Sequence, residues 1–541
     1  MNNKKISFII IKKNEDAYLE CLKYIQKLNV PTGYSVDYVY VKDSNNIAKS
    51  FNYAMNKTDA KYKVYINENT RIVDHNFIIN ILKIFSDNTI GMIGVCGAEK
   101  LNTKAVFSDS KKIISSAKIV KCDFFDKIQE NSNSFYKNVQ VINGIIMVTQ
   151  QDIHWRDDIF DGNYFYDLSQ SLEFYRNKLQ VVIMQAKGVC AIYDNVNETL
   201  DNTYNIYRNK FLEEYSKDIF PLVSIMITSY NRPKMFEEAL ISAINQDYLN
   251  KEIVIVDNST NLSVNEVMKK YNDIQFIRYY KNKEELKVIE NFNKAINLTR
   301  SDYICFLMDD DIYAENKISS MMDYFLNYED VSMVTSYRQP IDVAGNKIID
   351  NKSTRKISFN NIFLSSSDLE QYISIEVNNF LGETTTPIFK KSLMDSKFGM
   401  YCGHQMDVIS DFVTWINLSY KGKIVYISDT LSYFRIHSGQ DQRKEDTIND
   451  GIIECLYLYV KILKKNNKNT ILQAVNNNID TKLQQVERML DRNYYSDKFV
   501  ILNEALNELL DFEFVVNNAK FNKKVLSLID KLECKINCGN S

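Results

Sequence analysis

The sequence of 541 residues is poor in the residues that break regular secondary structure, with 15 glycines and 5 prolines. We therefore expect few long flexible linkers. Only four histidines occur, His75, His154, His404 and His437, so haem or multi-histidine metal chemistry is poorly supplied. The nine cysteines are scattered and odd in number. This favours a reducing, cytoplasmic location and argues against a disulfide framework or a zinc site.

Several long patterns are also missing. No apolar run approaches the roughly 20 residues of a membrane-spanning helix, and the apolar run Ile6–Ile11 is too short for a signal peptide. The net charge of −3 and the lack of a basic block argue against nucleic-acid binding. No Gly-x₄-Gly-Lys-Ser/Thr loop occurs, and no Gly-x-Gly-x-x-Gly follows a predicted first strand. These absences argue against a phosphotransferase and a dinucleotide oxidoreductase.

The composition is that of a soluble globular protein, with 45% hydrophobic and 25% charged residues, and the length suits two to four domains. Residues 302–311 read Asp-Tyr-Ile-Cys-Phe-Leu-Met-Asp-Asp-Asp, an apolar strand that ends in three carboxylates. Clustered carboxylates repel one another, and a divalent cation carrying a phosphorylated substrate would compensate them. The alternative is a solvated acidic turn that caps the following helix.

Strand and helix patterns alternate around this motif. An apolar strand within 221–229 is followed by a helical pattern, and a second buried strand, Glu252–Val256, ends in Asp257. A helical segment, Val288–Ile296, then leads into the acidic strand. Strands that alternate with helices predict βαβ units and a parallel sheet.

The same order of segments occurs earlier in the chain. Residues 7–11, 37–44, 47–55 and 63–69 correspond in order to 224–228, 252–259, 288–296 and the acidic strand. Both copies carry Phe-Asn-x-Ala before the third strand. The alternative is that any two α/β domains look alike, but this shared motif favours a duplicated domain over coincidence.

Only the second copy keeps the acidic residues. The first copy has Asn67-Glu68-Asn69 at the position of the three aspartates, and Ile192-Tyr193-Asp194 where the second has Ile436-His437-Ser438. One carboxylate between two amides binds a hard cation weakly. The first domain is therefore predicted to be metal-independent or no longer catalytic.

The last hundred residues lack strand signals and show apolar residues at helical spacing, beginning with Ile452, Ile453 and Leu456. We predict three ranges, which are 1–218, 219–442 and a helical region at 443–541. The helical region packs on the second domain, binds a protein acceptor or mediates homo-oligomerisation, and the sequence leaves these alternatives open.

With these residues in view, the second domain resembles the family 2 glycosyltransferases of the GT-A fold over roughly 221–440. The resemblance is carried by the segments Val223–Arg232, Glu252–Ser259, Asp309–Asp311 and Ser410–Leu418 and by Tyr433–His437. The first domain, over about 5–200, looks like a related glycosyltransferase-like group through Gly91–Val95 and Phe160–Asp167. That group tends to have a histidine where this chain has Asn163. The resemblance implies two tandem GT-A-like α/β domains with mixed sheets.

The resemblance also implies a set of site residues. The nucleotide-sugar is expected to contact Thr228, Tyr230, Arg232, Asp257, Asn258, Asp309 and Asp310. A Mn²⁺ or Mg²⁺ cofactor is expected to be held by Asp309, Asp310, Asp311 and His437, in either of two registers of an Asp-x-Asp motif. Asp411 is the expected catalytic base. Because the family usually has Glu where Ser410 stands, Asp407 is the reserve candidate. The threonine-rich segment Gly382–Pro387 resembles an acceptor-side loop, although such loops are common.

The function implied is that of an inverting, metal-dependent glycosyltransferase. It would move a sugar from a nucleotide-sugar, with UDP expected, to a protein or surface-glycan acceptor. One alternative is a bifunctional or polymerising transferase with both domains active. Another, from a different class, is a non-catalytic scaffold that binds glycans or nucleotides, and the intact aspartate triplet argues against it.

Overall fold

A computed structural model of the protein describes residues 1–42, 45–120, 134–186, 188–194, 201–439, 444–466, 472–492 and 494–539. Two compact units are present, Met1–Phe220 and Pro221–Ser541. The predicted boundary at 442/443 and the residues Asp43 and Ser44 of one predicted strand end lie outside the described residues. The division into three ranges stays a prediction.

The first unit is an α/β domain. Its strands are β1 Asn2–Lys12, β2 Ser35–Lys42, β3 Ala60–Asn67, β4 Thr70–Ile72, β5 Ile90–Gly94, β6 Cys96–Ala98, β7 Ile113–Ser115, β8 Ala117–Val120, β9 Tyr136–Asn138, β10 Val141–Ile142, β11 Ile146–Thr149, β12 Gln180–Met184 and β13 Ala191–Asp194. Its helices are α1 Glu15–Ile25, α2 Ile47–Met55, α3 Phe77–Ile84, α4 Tyr166–Arg176 and α5 Tyr204–Ile219. The main sheet has the strand order β2-β1-β3-β11-β5-β12-β9.

The second unit contains an α/β part and a helical part. Its strands are β14 Val223–Ser229, β15 Lys251–Asp257, β16 Ile277–Lys281, β17 Tyr303–Met308, β18 Ile312–Tyr313, β19 Val331–Ile341, β20 Ile362–Leu364, β21 Ile388–Lys390, β22 Met400–Tyr401, β23 His404–Gln405 and β24 Lys423–Arg435. Its helices are α6 Pro233–Ile244, α7 Ser263–Met268, α8 Val288–Leu298, α9 Lys317–Asn327, α10 Ser366–Ile375, α11 Ser410–Ser419, α12 Glu445–Asn466, α13 Leu472–Leu490, α14 Phe499–Leu509, α15 Glu513–Val516 and α16 Ala519–Gly539. The main sheet follows the order β16-β15-β14-β17-β21-β19-β24-β18.

The two sheets share one topology. In the first, β1 pairs parallel with β2 and β3, β11 pairs antiparallel with β3 and β5, and β12 pairs parallel with β5. In the second, β14 pairs parallel with β15 and β17, β21 pairs antiparallel with β17 and β19, and β24 pairs parallel with β19. Five successive pairings agree in order and direction, which confirms the predicted duplication and the mixed α/β class.

The repeated Phe-Asn motif has the same structural role in both units. In α2, the Asn52 side chain accepts a hydrogen bond from the Trp155 backbone N–H at 2.9 Å. In α8, the Asn293 side chain accepts one from the Phe398 backbone N–H at 3.0 Å. In each unit the asparagine therefore fixes the segment that comes after the antiparallel strand, because a buried N–H needs a partner.

The local sequence explains the central elements of the second sheet. Every residue of β14 and β15 is buried, as expected for inner strands with helices on both faces. Helix α6 begins with Pro233, whose fixed φ and missing N–H suit the first helical turn. In α8, Ile289, Phe292 and Ile296 are buried at helical spacing and pack with Phe306 of β17.

The helical part is packed on the α/β part of the second unit, one of the alternatives left open by the sequence. Residues of α12 and α14 share a buried core with α10 and α11, through side chains such as Ile373, Phe412, Tyr457 and Leu502. Among the described helices, none is both long and apolar enough to cross a membrane. The prediction that the C-terminal region is helical is confirmed.

Candidate active site

The candidate site lies at the carboxyl edge of the second sheet. The parallel strands β14, β15 and β17 end there at Ser229, Asp257 and Met308. Strand β14 is the first of the three in sequence and lies between the other two, so the chain order reverses across it. In open α/β sheets, ligands bind beside such a reversal, outside the carboxyl ends of the strands. The three aspartates come directly after β17 at this position.

Asp309 connects the ends of β17 and β14. Its carboxylate accepts hydrogen bonds from the Ser229 hydroxyl at 3.1 Å and the Tyr230 backbone N–H at 2.9 Å. The Arg232 Nη1 also donates to it at 3.1 Å. Burial, followed by repulsion from Asp310, raises the pKa of Asp309 to about 6. The side chain therefore fixes the loop after β14 as well as carrying charge.

Asp310 is also buried but is the least buried of the three aspartates, with 8% of its surface exposed against 2% for Asp309 and Asp311. Its Oδ2 lies 2.9 Å from Arg232 Nη1 and 2.9 Å from His437 Nε2. The His437 side chain is largely buried, and Arg232 Nη2 also donates to the Gly439 carbonyl at 3.1 Å. A carboxylate, a guanidinium and an imidazole thus meet at one point, although their residues are far apart in sequence.

Asp311 is held by a different set of groups. Its carboxylate accepts hydrogen bonds from the Thr385 hydroxyl at 2.5 Å and the Arg435 backbone N–H at 2.9 Å. Burial, and then the charge of Asp310, raise the pKa of Asp311 well above its ordinary value. Arg435 in turn donates through Nε to the Asp310 carbonyl at 2.7 Å. This carboxylate ties the acidic turn to β24 and to the loop before β21.

A divalent cation fits part of the predicted ligand set. No group of three or more acidic, histidine or cysteine side chains converges on a metal position within the described residues. Of the four predicted ligands, Asp310 and His437 contact each other, while Asp309 and Asp311 bond to neighbouring protein groups. One carboxylate and one imidazole are suitable donors for a cation that takes its remaining ligands from phosphate and water. The arrangement therefore fits a cation held by two protein residues, Asp310 and His437.

Two residues predicted to contact the nucleotide, Asp257 and Asn258, are largely engaged with other protein groups. Asp257 is fully buried and accepts hydrogen bonds from the Tyr279 hydroxyl at 2.7 Å and the Ser259 backbone N–H at 2.8 Å. The Asn258 side chain bonds in both directions with the backbone of Leu286, at 2.9 Å each. Both side chains shape the end of β15.

The two predicted residues at the end of β14 differ in exposure. Thr228 is buried, whereas Tyr230 is 42% exposed at the edge. An exposed aromatic ring beside the acidic turn provides a flat apolar surface of the kind on which a nucleobase stacks.

Asp411 is the second residue of α11. Its Oδ1 accepts the Phe412 backbone N–H at 2.6 Å, and its Oδ2 accepts from Asn379 Nδ2 at 3.2 Å. Burial, and then the negative charge of Glu383, raise the pKa of Asp411 to about 7. A carboxylate with a pKa near neutral is suited to take up a proton at physiological pH.

Three further candidates lie around Asp411 and Asp311, namely Arg338, Glu383 and Thr385. Composition and spacing did not reveal them. The buried Arg338 forms an ion pair through Nε with Glu383, and Arg338 Nη2 donates to the same carboxylate at 3.1 Å. Thr385 of the same loop bonds Asp311. The threonine-rich segment was the only sequence signal for this loop. No periodicity could have paired it with Arg338, which lies about 45 residues earlier.

Asp407, the reserve base, has a different environment. Its carboxylate is half-exposed and lies 2.6 Å from Lys498 Nζ, in the helical part. A carboxylate that already pairs directly with a lysine is less available to an acceptor hydroxyl. Asp411 is the better candidate of the two on this geometry.

The first unit carries a partly matching arrangement. The Glu68 carboxylate accepts the backbone N–H groups of Lys13 at 2.7 Å and Asn14 at 2.9 Å, in the place where Asp309 holds the loop after β14. Asp167 is the second residue of α4 and accepts the Gly144 backbone N–H at 2.7 Å, which parallels Asp411 in α11. The acid that fixes the loop and the acid on the helix have counterparts, whereas the described residues of the first unit show none for Asp310 and His437.

Parts of both units match known protein families. Residues 7–215 match a family described as glycosyltransferase-like, and residues 224–376 match glycosyl transferase family 2. An uncharacterized glycosyltransferase of Methanocaldococcus jannaschii is 33% identical over 129 residues, covering 23% of this chain and 44% of that protein. A GalNAc(5)-diNAcBac-PP-undecaprenol beta-1,3-glucosyltransferase of Campylobacter jejuni is 28% identical over 226 residues, covering 40% of this chain and 65% of that protein. This chain thus spans less than two thirds of the length of either relative.

Solved structures show a more distant likeness. The crystal structure of S. aureus TarS 1-349 in complex with UDP-GlcNAc aligns with 13% identity and a TM-score of 0.35. The alignment covers 57% of this chain and 80% of the TarS chain. The architecture of both units rests on their strand pairings and not on this alignment.

Proposed function

Since this chain carries two tandem domains of family 2-type glycosyltransferases, we propose that its second domain transfers a sugar from a nucleotide-sugar to an acceptor hydroxyl. The observation that carries the proposal is the meeting of Asp310, Arg232 and His437 at the carboxyl edge of the sheet. The donor we expect is a UDP-sugar, with a protein or surface-glycan hydroxyl as acceptor. A cytoplasmic location and homo-oligomerisation stay predictions from the sequence.

The donor diphosphate is proposed to bind over Asp310. Arg232 can turn a hydrogen-bond donor toward a phosphate oxygen, because an arginine fork suits phosphate geometry. Asp310 and His437 are the residues that would hold Mn²⁺ or Mg²⁺. Such a cation, when bound, offsets the negative charge that develops on the departing diphosphate. Asp309 and Asp311 are proposed to hold the two flanking segments in place, because their carboxylates bond to protein groups.

Asp411 is proposed to act as the general base. Its charged form accepts the proton of the acceptor hydroxyl as the new glycosidic bond forms, an effect of typically ~10²–10⁴-fold. The raised pKa of about 7 keeps the carboxylate basic enough for this step. With one base and no protein nucleophile, the reaction is a single displacement that inverts the anomeric carbon.

A screen of nucleotide-sugars tests the proposal. Each donor is incubated with the protein and Mn²⁺, and release of free nucleotide is measured. We expect one donor class to be hydrolysed or transferred, with at least a tenfold loss for Asp310→Asn and no loss for Glu315→Gln, an exposed acid nearby. The anomeric configuration of the product, read by NMR, tests inversion. Equal activity in Asp310→Asn would contradict the assignment of the diphosphate site.

A second candidate function is a bifunctional transferase. The observation that favours it is Asp167, which occupies the helix position of Asp411 in the first unit. We consider the first domain non-catalytic, because Glu68 is engaged by backbone N–H groups and no counterpart of His437 lies among the described residues of that unit. Asp167→Asn should leave all transfer intact, whereas loss of a distinct product would establish a second activity.

A further inference from the structure

The helical part of the second unit supplies a carboxylate to the segment that leads into α11. Glu454, near the middle of α12, is fully buried. Its Oε1 accepts the Asp407 backbone N–H at 2.8 Å, and its Oε2 accepts those of Val408 and Ile409 at 2.9 and 3.0 Å. One side chain thus satisfies three successive backbone donors on a segment about 45 residues away in sequence.

These three donors lie on the segment that leads into α11, and the Ile409 N–H is the one that belongs to the N-cap residue. Residue Ile409 occupies the N-cap position of α11, and its apolar side chain forms no capping hydrogen bond, although Asp411 accepts the Phe412 N–H within the first turn. The first N–H groups of a helix have no partner within the helix, and an apolar N-cap cannot supply one. A negative charge at this end is also favoured by the helix dipole. Glu454 therefore binds the N-cap N–H and the two N–H groups before it, and so fixes from another element the segment that enters α11.

A buried lysine balances the charge of this carboxylate. Lys498, just before α14, places Nζ 3.4 Å from Glu454 Oε1 and 2.6 Å from Asp407 Oδ2. The same Nζ donates to the Gln405 carbonyl at 2.7 Å. A buried charge persists only where it is paired and hydrogen-bonded, and here both ions meet that condition. Residues 405–409 are thus held at several points by the helical part.

The position of residues 405–409 bears directly on the candidate base. Asp411 comes two residues after Ile409, in the first turn of α11. The direction of its carboxylate depends on where that first turn lies relative to Asn379, which donates to Asp411 Oδ2 at 3.2 Å. A shift of about 1 Å at a catalytic group can cost ~10²-fold in rate. The position of α11 therefore matters for the reaction rate as well as for the fold.

We propose that Glu454 and Lys498 are positioning residues for catalysis, which hold the N-terminus of α11 so that Asp411 faces the acceptor hydroxyl. The helical part then completes the transferase site and is more than an appendage to it. This inference rests on the proposed role of Asp411. It assigns no contact between Glu454 and substrate.

The test compares two charge-removing variants of the full chain. Glu454→Gln keeps the shape of the side chain but removes its charge and one acceptor. Glu508→Gln is the matched control, since Glu508 pairs with Lys461 and Lys464 elsewhere in the helical part. For each variant we would measure kcat, the KM of the donor, the thermal midpoint and hydrogen exchange of the amides at 407–409.

We expect Glu454→Gln to lower kcat by 10- to 100-fold and to leave the donor KM within about twofold, because the diphosphate site is untouched. Amide exchange at 407–409 should rise, and Glu508→Gln should change neither kcat nor this exchange. If Glu454→Gln fails to fold, Lys498→Met is the second variant, with a smaller kcat loss of about 5- to 10-fold. A kcat within twofold of wild type in whichever variant folds, or an equal kcat loss in Glu508→Gln, would overturn the inference.

Single and double variants at Asp411 and Glu454 distinguish a failure of this inference from a failure of the proposed function. If Asp411→Asn abolishes turnover and Glu454→Gln does not reduce kcat, only the positioning role fails. If Asp411→Asn keeps near-normal turnover, the assignment of the base fails, and the positioning role with it. If both roles hold, adding Glu454→Gln to Asp411→Asn should lower kcat no further, since residues that act as a unit are not additive.

Discussion

Replacement of Asp411 by asparagine should raise stability while it removes activity. The carboxyl is held in surroundings that disfavour its charge, because burial and the nearby Glu383 raise its pKa to about 7 from an ordinary value of 3.8. A carboxyl whose pKa is higher in the folded state binds its proton more tightly when folded. The contribution of this carboxyl to the free energy of unfolding is therefore greatest below about pH 4, and it is lost as the pH rises to about 7.

The size of the effect can be worked out from the same pKa. A difference of about three pH units at about 1.4 kcal/mol each sets an upper bound of about 4 kcal/mol. Partial exposure of Asp411 to solvent reduces this figure. The amide also loses the hydrogen bond from Asn379, which costs about 1 kcal/mol. We therefore expect Asp411→Asn to be more stable than wild type by about 1–3 kcal/mol at pH 8, with no gain at pH 4.

Urea unfolding at several pH values measures the stability, and turnover of a nucleotide-sugar measures the activity. The variant should lose ~10²–10⁴-fold in kcat, as expected on removal of a general base. Asp395→Asn, at an exposed ion pair with Lys421, is the control and should change neither quantity by much. A variant that is less stable than wild type at pH 8, with the same pH dependence, would refute the claim that the Asp411 charge is disfavoured. Near-normal turnover would refute its role as the base.

Three further predictions rest on single contacts. Glu383→Gln should move the acidic limb of the kcat/KM profile to lower pH, because it removes a negative charge that raises the pKa of Asp411; an unmoved limb would exclude this coupling. Asn293→Ala should lower the free energy of unfolding by about 1–3 kcal/mol, since the Phe398 backbone N–H loses its acceptor, and denaturant titration would show it. Glu68→Gln should lower stability in the same assay and leave transfer unchanged, and a selective loss of transfer would point to a catalytic first domain.

The sequence predicted the architecture well because its signals are local. Short apolar strands, helical spacing and the repeated Phe-Asn motif each lie within about ten residues, and the topology of both sheets agrees with them. The end of β17 was located by the change from apolar residues to Asp309, which marks the end of a buried apolar run. Local patterns therefore identified the edge of the sheet where the site lies.

The directions of the side chains could not be predicted in the same way. Three consecutive aspartates look equivalent in sequence, yet Asp310 alone of them faces His437, because Asp309 and Asp311 are engaged by backbone N–H groups of other strands. The pairing of Arg338 with Glu383 and the hydrogen bonds of Glu454 to the segment before α11 join parts of the chain separated by 45 residues or more. Such contacts depend on tertiary packing, which no periodicity encodes.

Calorimetric titration of UDP, with and without Mn²⁺, tests the central claim most directly. The account predicts that wild-type protein binds UDP at least tenfold more tightly with Mn²⁺, and that Asp310→Asn loses this difference while Glu315→Gln keeps it. UDP binding of equal strength with and without the cation, or an unchanged difference in Asp310→Asn, would contradict the assignment of the acidic edge as the site of the nucleotide diphosphate.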